Sequence, residues 1–243
     1  MKRNLYTTLD WIYPRRCPVC DGILGKKEPY ICRKCVPKLQ PVREPRCRKC
    51  GRGLRSVTEE YCTDCASRRH EYDSGFAVYP YHGLVRESLM RFKYAGRQEY
   101  ARFYAQAIRT SGGSTIRRMQ PDILIPVPVH RKKLRARGYN QAEVLARRLS
   151  EKTGIRMEKD LVIRMKNTLP QKELDRLQRK KNLQDAFALK ATGRRFPWKR
   201  VLLVDDIYTT GSTVDTLALL LKKAGAEKVF FVAVAMGGDG ENP

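Results

Sequence analysis

The sequence predicts an α/β fold, a mostly parallel sheet with a small cysteine-rich metal module ahead of it. Three observations carry the prediction. Eight cysteines fall in four CxxC pairs between residues 17 and 65. After residue 120, short aliphatic runs alternate with segments of helical periodicity, the pattern of parallel strands joined by crossover helices. Val201–Val204 reads as a buried strand that runs into Asp205-Asp206, a turn rich in hydroxyls and glycine, and an apolar-periodic helix.

The cysteines stand at 17/20, 32/35, 47/50 and 62/65, a repeat of 15 residues. Each pair can present two thiolates to one ion, and four thiolates in a tetrahedron suit Zn²⁺. Cys17, Cys20, Cys32, Cys35, Cys47, Cys50, Cys62 and Cys65 therefore predict two closed, structural zinc sites. Joining 17/20 to 32/35 and 47/50 to 62/65 gives a double zinc ribbon; the interleaved pairing satisfies the same spacing. With few large apolar residues, the module is expected to need metal to fold. With eight thiolates present, His70 is not expected as a ligand. No apolar stretch follows Met1-Lys-Arg-Asn and no run reaches membrane-spanning length, so a reducing cytoplasm without membrane insertion is expected.

Beyond the cysteines, Gly75–Tyr79 reads as a short strand. Leu84, Ser88 and Phe92 lie in a helix ending near Gly96, and Tyr100–Arg109 is a second helix. Ser111-Gly-Gly-Ser114 reads as a flexible link. Asp122–Pro128 opens the main sheet, and Val144, Leu145 and Leu149 give Asn140–Glu151 helical spacing. Leu161–Arg164 and Phe187–Leu189 are further short strands around a basic, polar loop at 165–185. Val214–Ala224 is a helix closed by Gly225, and Val229–Ala235 is the last strand.

The formal charge of +25 draws polyanions. It is unevenly spread: residues 131–200 hold 22 Lys and Arg against 7 Asp and Glu, whereas residues 201–243 hold 3 against 6. The acid pair thus sits in the one acidic segment of a basic chain. Ligands of open α/β sheets bind beyond the C-terminal ends of strands, and Asp205 and Asp206 are read at such an end, where an acid is rarely core. Both carboxylates can accept hydrogen bonds from vicinal ribose hydroxyls, directly or through waters on Mg²⁺. Thr209, Thr210, Gly211, Ser212 and Thr213 add hydroxyls and consecutive N–H groups at the positive end of the following helix, a nest for a monophosphate. There is no GxxxxGK[ST] and no GxGxxG, so nucleoside triphosphate hydrolysis has no support.

The Val201–Thr213 run resembles the phosphoribosyl pyrophosphate (PRPP) loop of type I phosphoribosyltransferases. With the cysteine pairs, Tyr81-His-Gly-Leu-Val-Arg86, Phe92-Lys-Tyr94, Pro126-Val-Pro-Val-His130, Arg137-Gly-Tyr-Asn-Gln141, Thr168-Leu-Pro-Gln171 and Asn182-Leu-Gln-Asp-Ala-Phe187, the chain resembles the ComF family of competence-associated, phosphoribosyltransferase-like proteins. The resemblance implies a type I phosphoribosyltransferase-like core at 121–243, a hood-like segment at 71–120 and the double ribbon at 1–70. It implies that Asp205 and Asp206 hold the ribose hydroxyls of PRPP, bound with Mg²⁺, and that Thr209–Thr213 hold its 5′-phosphate. Pro128, Val129, His130 and Arg131 would lie near the pyrophosphate. Arg164–Asn182 would be the flexible catalytic loop, and Lys93 would meet the acceptor.

Charge supports a pyrophosphate role independently. Arg131, Lys132, Lys133, Arg135 and Arg137 follow a strand end, and Arg137 is singled out to offset charge on the leaving group. The implied reaction transfers phosphoribosyl to a nitrogen acceptor, in a protein of DNA uptake and processing. The competing reading is a non-catalytic scaffold for DNA-processing proteins that binds single-stranded DNA. Lys26, Lys27, Arg33, Lys34, Arg46, Arg48, Lys49, Arg52 and Arg55 would contact phosphates, and Tyr30 and Tyr61 would stack on bases.

Overall fold

The computed structural model describes residues 14–165, 186–190 and 196–237. In chain order the elements are α1 (Thr63–Ser67), β1 (Ser74–Pro80), α2 (Gly83–Tyr94), α3 (Ala101–Met119), β2 (Ile123–Pro126), α4 (Arg131–Arg137), α5 (Gln141–Thr153), β3 (Val162–Arg164), β4 (Phe187–Leu189), β5 (Arg200–Tyr208), α6 (Ser212–Ala224) and β6 (Lys228–Met236). β1, β6, β5 and β2 form, in that order, a parallel four-stranded sheet. A parallel sheet needs cover on both faces, which is why its strands are apolar almost throughout. Val201 and Leu203 of β5 pack with Leu217 and Leu221 of α6 on one face. Leu202 and Val204 pack with Phe92, Ile108 and Leu145 of α2, α3 and α5 on the other.

The two ribbons differ in how they join this core. Cys17, Val19, Leu24 and Cys35 form a small cluster of their own, with Leu84 of α2 against it. Cys47, Cys50 and Cys62 belong instead to the main core, beside Tyr72, Val214 and Phe231. The segment between the ribbons and the second ribbon itself also seal a sheet edge: Val42 N–H donates to the Val78 carbonyl at 2.8 Å, and Gly75 N–H donates to the Lys49 carbonyl at 2.9 Å. At the other edge Leu124 exchanges hydrogen bonds with Arg156 and Glu158. Open strand edges invite pairing with other chains, and both are covered here.

Three expectations need correction, and one helix goes beyond them. Ser111–Ser114 is no link, because α3 runs straight through it. The two glycines are poor helix formers, but a Cβ at Gly112 would come within 1.9 Å of Phe76 Cζ, so close packing decides against local propensity. The basic run after His130 is a helix, α4, capped by the His130 side chain and ended by left-handed Gly138. Leu161–Arg164 and Phe187–Leu189 contribute strands, but these pair antiparallel with each other outside the main sheet. Finally, β5 extends through Tyr208, which puts the acid pair inside the strand. The expected basic loop falls almost wholly at residues 166–185, outside the described residues, as do Thr168–Gln171 and Asn182–Asp185. Among the described residues, no helix is long and apolar enough to cross a membrane.

Stripping both metal sites should melt the ribbons, loosen the main core through Cys47, Cys50 and Cys62, and uncover the β1 edge. Denaturant unfolding with and without chelator is expected to show a lower midpoint and aggregation once zinc release is verified. Identical profiles for loaded and stripped protein would contradict the dependence.

Candidate active site

The site is built around a carboxylate placed in the apolar sheet. Asp206 in β5 is 7 % exposed. Lys93, near the end of α2, reaches it with Nζ 2.8 Å from Oδ2, and the two side chains are 16 % and 10 % exposed. Burial pushes the Asp206 carboxyl up, but the Lys93 ammonium outweighs it and holds Asp206 below the usual carboxylate range. For Lys93, burial opposes the charge, and Asp206 prevails to hold it above the usual lysine value. For Asp205 the balance is different. Burial and the neighbouring Asp206 charge raise it well above an ordinary carboxyl, while its Oδ1 accepts the Asp206 N–H at 2.8 Å. Two adjacent acids are thereby driven in opposite directions, one ionised and one inclined to keep its proton.

Cations crowd around this pair from three elements. Arg137 at the end of α4 lies over the Tyr94 ring at 4.7 Å, donates to Tyr94 Oη at 2.8 Å and to Gln141 Oε1 at 3.1 Å, and helps hold Asp206 ionised. Burial lowers Arg164 of β3, and Asp205 works against that shift. Lys133 of α4 is held below the usual lysine value by burial and by the charges of Arg164, Arg137 and Lys93. His130 is lowered by burial and by Arg164 and the neighbouring Lys132, Lys133 and Arg131, and its Nδ1 accepts the Lys132 N–H at 3.2 Å. The cations that lower Lys133 and His130 form a positive field that a polyanion would relieve.

Beyond Tyr208 the chain turns through exposed Thr209 and Thr210. Gly211 takes a left-handed φ of +74° as α6 begins, and a Cβ there would meet Tyr208 Oη at 2.6 Å. Thr210 Oγ1 and Ser212 Oγ lie 2.9 Å apart. The loop thus presents hydroxyls and the first N–H groups of a helix of 13 residues just past the acid pair.

The cysteines gather into two groups, 17/20/32/35 and 47/50/62/65, with no interleaving. Cys20 Sγ and Cys32 Sγ are 3.8 Å apart, and Cys50 Sγ and Cys62 Sγ 3.6 Å. A tetrahedron with zinc–sulfur bonds of about 2.3 Å has edges of roughly 3.8 Å, so both groups fit Zn²⁺.

The double zinc ribbon domain family matches residues 8–66, and the phosphoribosyl transferase domain family matches residues 136–243. Competence protein F of Haemophilus influenzae is 41% identical over 109 residues, 45% of this chain and 48% of that protein. Competence protein ComFC of Bacillus subtilis is 29% identical over 157 residues, 63% of this chain and 60% of that protein. The chain is thus similar, part by part, to double zinc ribbons, to phosphoribosyl transferase domains and to competence proteins. It spans about half the length of the curated relatives it matches, which include the DNA utilization protein YhgH of Escherichia coli. Among solved structures, a purine phosphoribosyltransferase from Pyrococcus horikoshii Ot3 is similar at 18% identity and a TM-score of 0.36, over 55% of this chain and 73% of that one.

Asp205, Asp206, Lys93, Arg137 and His130 share one charge network. Pro128 and Val129 are half-buried and lead into His130, and Arg131 is exposed. His82 is exposed at the start of α2. Two expectations about the ribbons change. Tyr30 is half-buried, and Lys152 already engages it, with Nζ 4.7 Å from the ring centre and donating to its hydroxyl. Arg46 and Arg52 are spent on the carbonyls of Val42 and Gly237, whereas Lys26, Lys27, Arg33, Lys34, Arg55 and Tyr61 are exposed. Sequence reasoning missed Tyr94 as the seat of Arg137; its signal was an aromatic next to Lys93.

Asp206 was expected to be dispensable for folding, and its buried pairing reverses that. Its depressed value stabilises the fold above the unfolded carboxyl range, and the gain is lost as pH falls through the folded value. For Asp205 the sign is opposite: stability falls as pH rises past the unfolded value, because ionisation is disfavoured in the fold. Near neutral pH, Asp206→Asn should destabilise by about 3 kcal/mol, since it strands the Lys93 charge. Asp205→Asn should be neutral or stabilising. Urea unfolding of the two variants checks this; equal effects would contradict the asymmetry.

Proposed function

We propose that the chain binds PRPP and transfers its phosphoribosyl group to a nitrogen acceptor. The observation that carries the reading is the convergence of Lys93, Arg137, Lys133 and Arg164 around an acid pair, directly before a hydroxyl loop at a helix N-terminus. In this reading the Thr209–Thr213 loop takes the 5′-phosphate and Asp205 and Asp206 take the ribose hydroxyls. Arg137, with Lys133, Arg164 and the Pro128–Arg131 segment, faces the pyrophosphate that leaves C1 as the acceptor nitrogen bonds to it. Mg²⁺ arriving with PRPP supplies further neutralisation of that leaving group. The ribose hydroxyls reach Asp206 only if Lys93 yields part of its contact, which frees an ammonium toward the acceptor side.

The expected outcome is saturable binding of PRPP with Mg²⁺ in a calorimetric titration, weakened at least about tenfold by Ser212→Asp. An acid at a helix N-terminus suits the fold but repels a phosphate in the same place. Failure of the folded wild type to bind, or equal affinity in the variant, would refute the reading.

A second role rests on the exposed basic surface of the ribbons. We infer that Lys26, Lys27, Arg33, Lys34 and Arg55, with Tyr61 at 46 % exposure, contact single-stranded DNA in DNA uptake or processing. The names of the relatives, competence and DNA utilization proteins, support this direction. Anisotropy of a labelled single-stranded oligonucleotide should show affinity falling steeply with salt, and falling again on reversing the charges at 26, 27, 33 and 34. Affinity indifferent to both would leave the protein without this surface.

A further inference from the structure

The sequence treats the second ribbon and the phosphate-type loop as separate modules, yet residues 64–72 are bound to residues 208–215 at several points. Asp64, between Cys62 and Cys65, lies 3.1 Å from Arg68 Nε. Arg68 Nε donates to His70 Nε2 at 3.3 Å, and its Nη2 donates to the Thr210 carbonyl. The His70 side chain is wholly buried, with Nδ1 2.9 Å from Asp215 Oδ2 in the first turn of α6. The other ring nitrogen, Nε2, also lies 3.4 Å from Asp64 Oδ2, so the ring bridges the ribbon and the helix. Glu71 N–H donates to the other Asp215 oxygen at 2.8 Å, and Tyr72 Oη lies 2.7 Å from Tyr208 Oη.

Two consequences bear on an anion in the loop. The Thr210 carbonyl and the Gly211 N–H belong to one trans peptide plane, so they point in opposite directions. Drawing the carbonyl to Arg68 turns the Gly211 N–H away from the ribbon, to the side open to a ligand. Asp215 is the second consequence. A carboxylate in the first turn of the helix would occupy or repel the place of a phosphate. Both its oxygens are instead held toward the ribbon by His70 and Glu71.

We propose that Arg68 and His70 are positioning residues that make the second ribbon part of the phosphate site, fixing the Thr209–Thr213 loop and setting its affinity for the 5′-phosphate. The inference rests on the sugar-phosphate reading above. The first ribbon has no such link among the described residues. It is held by Arg91 on the Val19 carbonyl at 2.6 Å, by Arg97 on Asp21 at 2.9 Å and by Lys152 on Tyr30 at 3.0 Å, all on α2, the turn after it, and α5.

The test compares the zinc-loaded full chain with Arg68→Met, Arg68→Lys, His70→Phe and Lys152→Met. Zinc content per chain, hydrogen exchange at amides 210–213 and PRPP titration with Mg²⁺ are measured on each. Zinc content is expected to hold in all. Arg68→Met and His70→Phe should exchange faster at those amides and bind PRPP about tenfold more weakly, a loss of about 1.4 kcal/mol. Arg68→Lys, which keeps one donor for the Thr210 carbonyl, should recover part of both, and Lys152→Met should match the wild type. If the wild type binds PRPP and Arg68→Met binds equally with unchanged exchange, the positioning role is overturned and the sugar-phosphate reading stands. If the folded wild type does not bind, the sugar-phosphate reading fails and takes this inference with it.

Discussion

The contact between Lys93 and Asp206 organises the candidate site of this molecule. A carboxylate in an inner strand of a parallel sheet is costly unless a charge meets it, and α2 supplies that charge in Lys93. Fixing Lys93 fixes its neighbours. Phe92 offers its carbonyl to the Tyr139 hydroxyl and so ties α2 to the turn before α5. Tyr94 seats Arg137, whose second donor goes to Gln141. One buried pair thus sets where α2, the basic helix α4 and the start of α5 stand relative to the acid pair.

On the opposite face the second ribbon supplies the matching constraint. Its thiolates lie in the main core, and the residues that follow them grip β5 and the first turn of α6. The first ribbon is a satellite with its own small cluster. Two modules that look alike in sequence therefore do different physical work. One leaves an exposed basic surface, and the other is continuous with the sheet and the loop at its end.

Much of the architecture was legible because it is encoded locally. The fifteen-residue cysteine repeat pointed to the two cysteine groups, and the strand, acid pair and hydroxyl turn at 201–213 were readable as the end of β5 and the start of α6. What was not legible depends on contacts between distant residues. His70 meets Asp215 across 145 positions and Lys152 meets Tyr30 across 122, and no local pattern announces either. Gly112 and Gly113 suggested a break, but the Phe76 ring needs the bare backbone, and α3 continues. Helix α4 has a single large apolar residue, Leu134, so periodicity could not reveal it. The extension of β5 to Tyr208 was hidden because acids are read as strand ends, and here one is paired inside the sheet.

The most direct measurement is a carbon-13 NMR titration of the Asp205 and Asp206 carboxyls, repeated with Lys93→Met. In the native protein Asp206 should titrate below the usual carboxylate range and Asp205 well above it, and loss of Lys93 should raise Asp206. Two carboxyls that titrate together at the ordinary value, indifferent to Lys93, would contradict the account of a site organised by one buried ion pair.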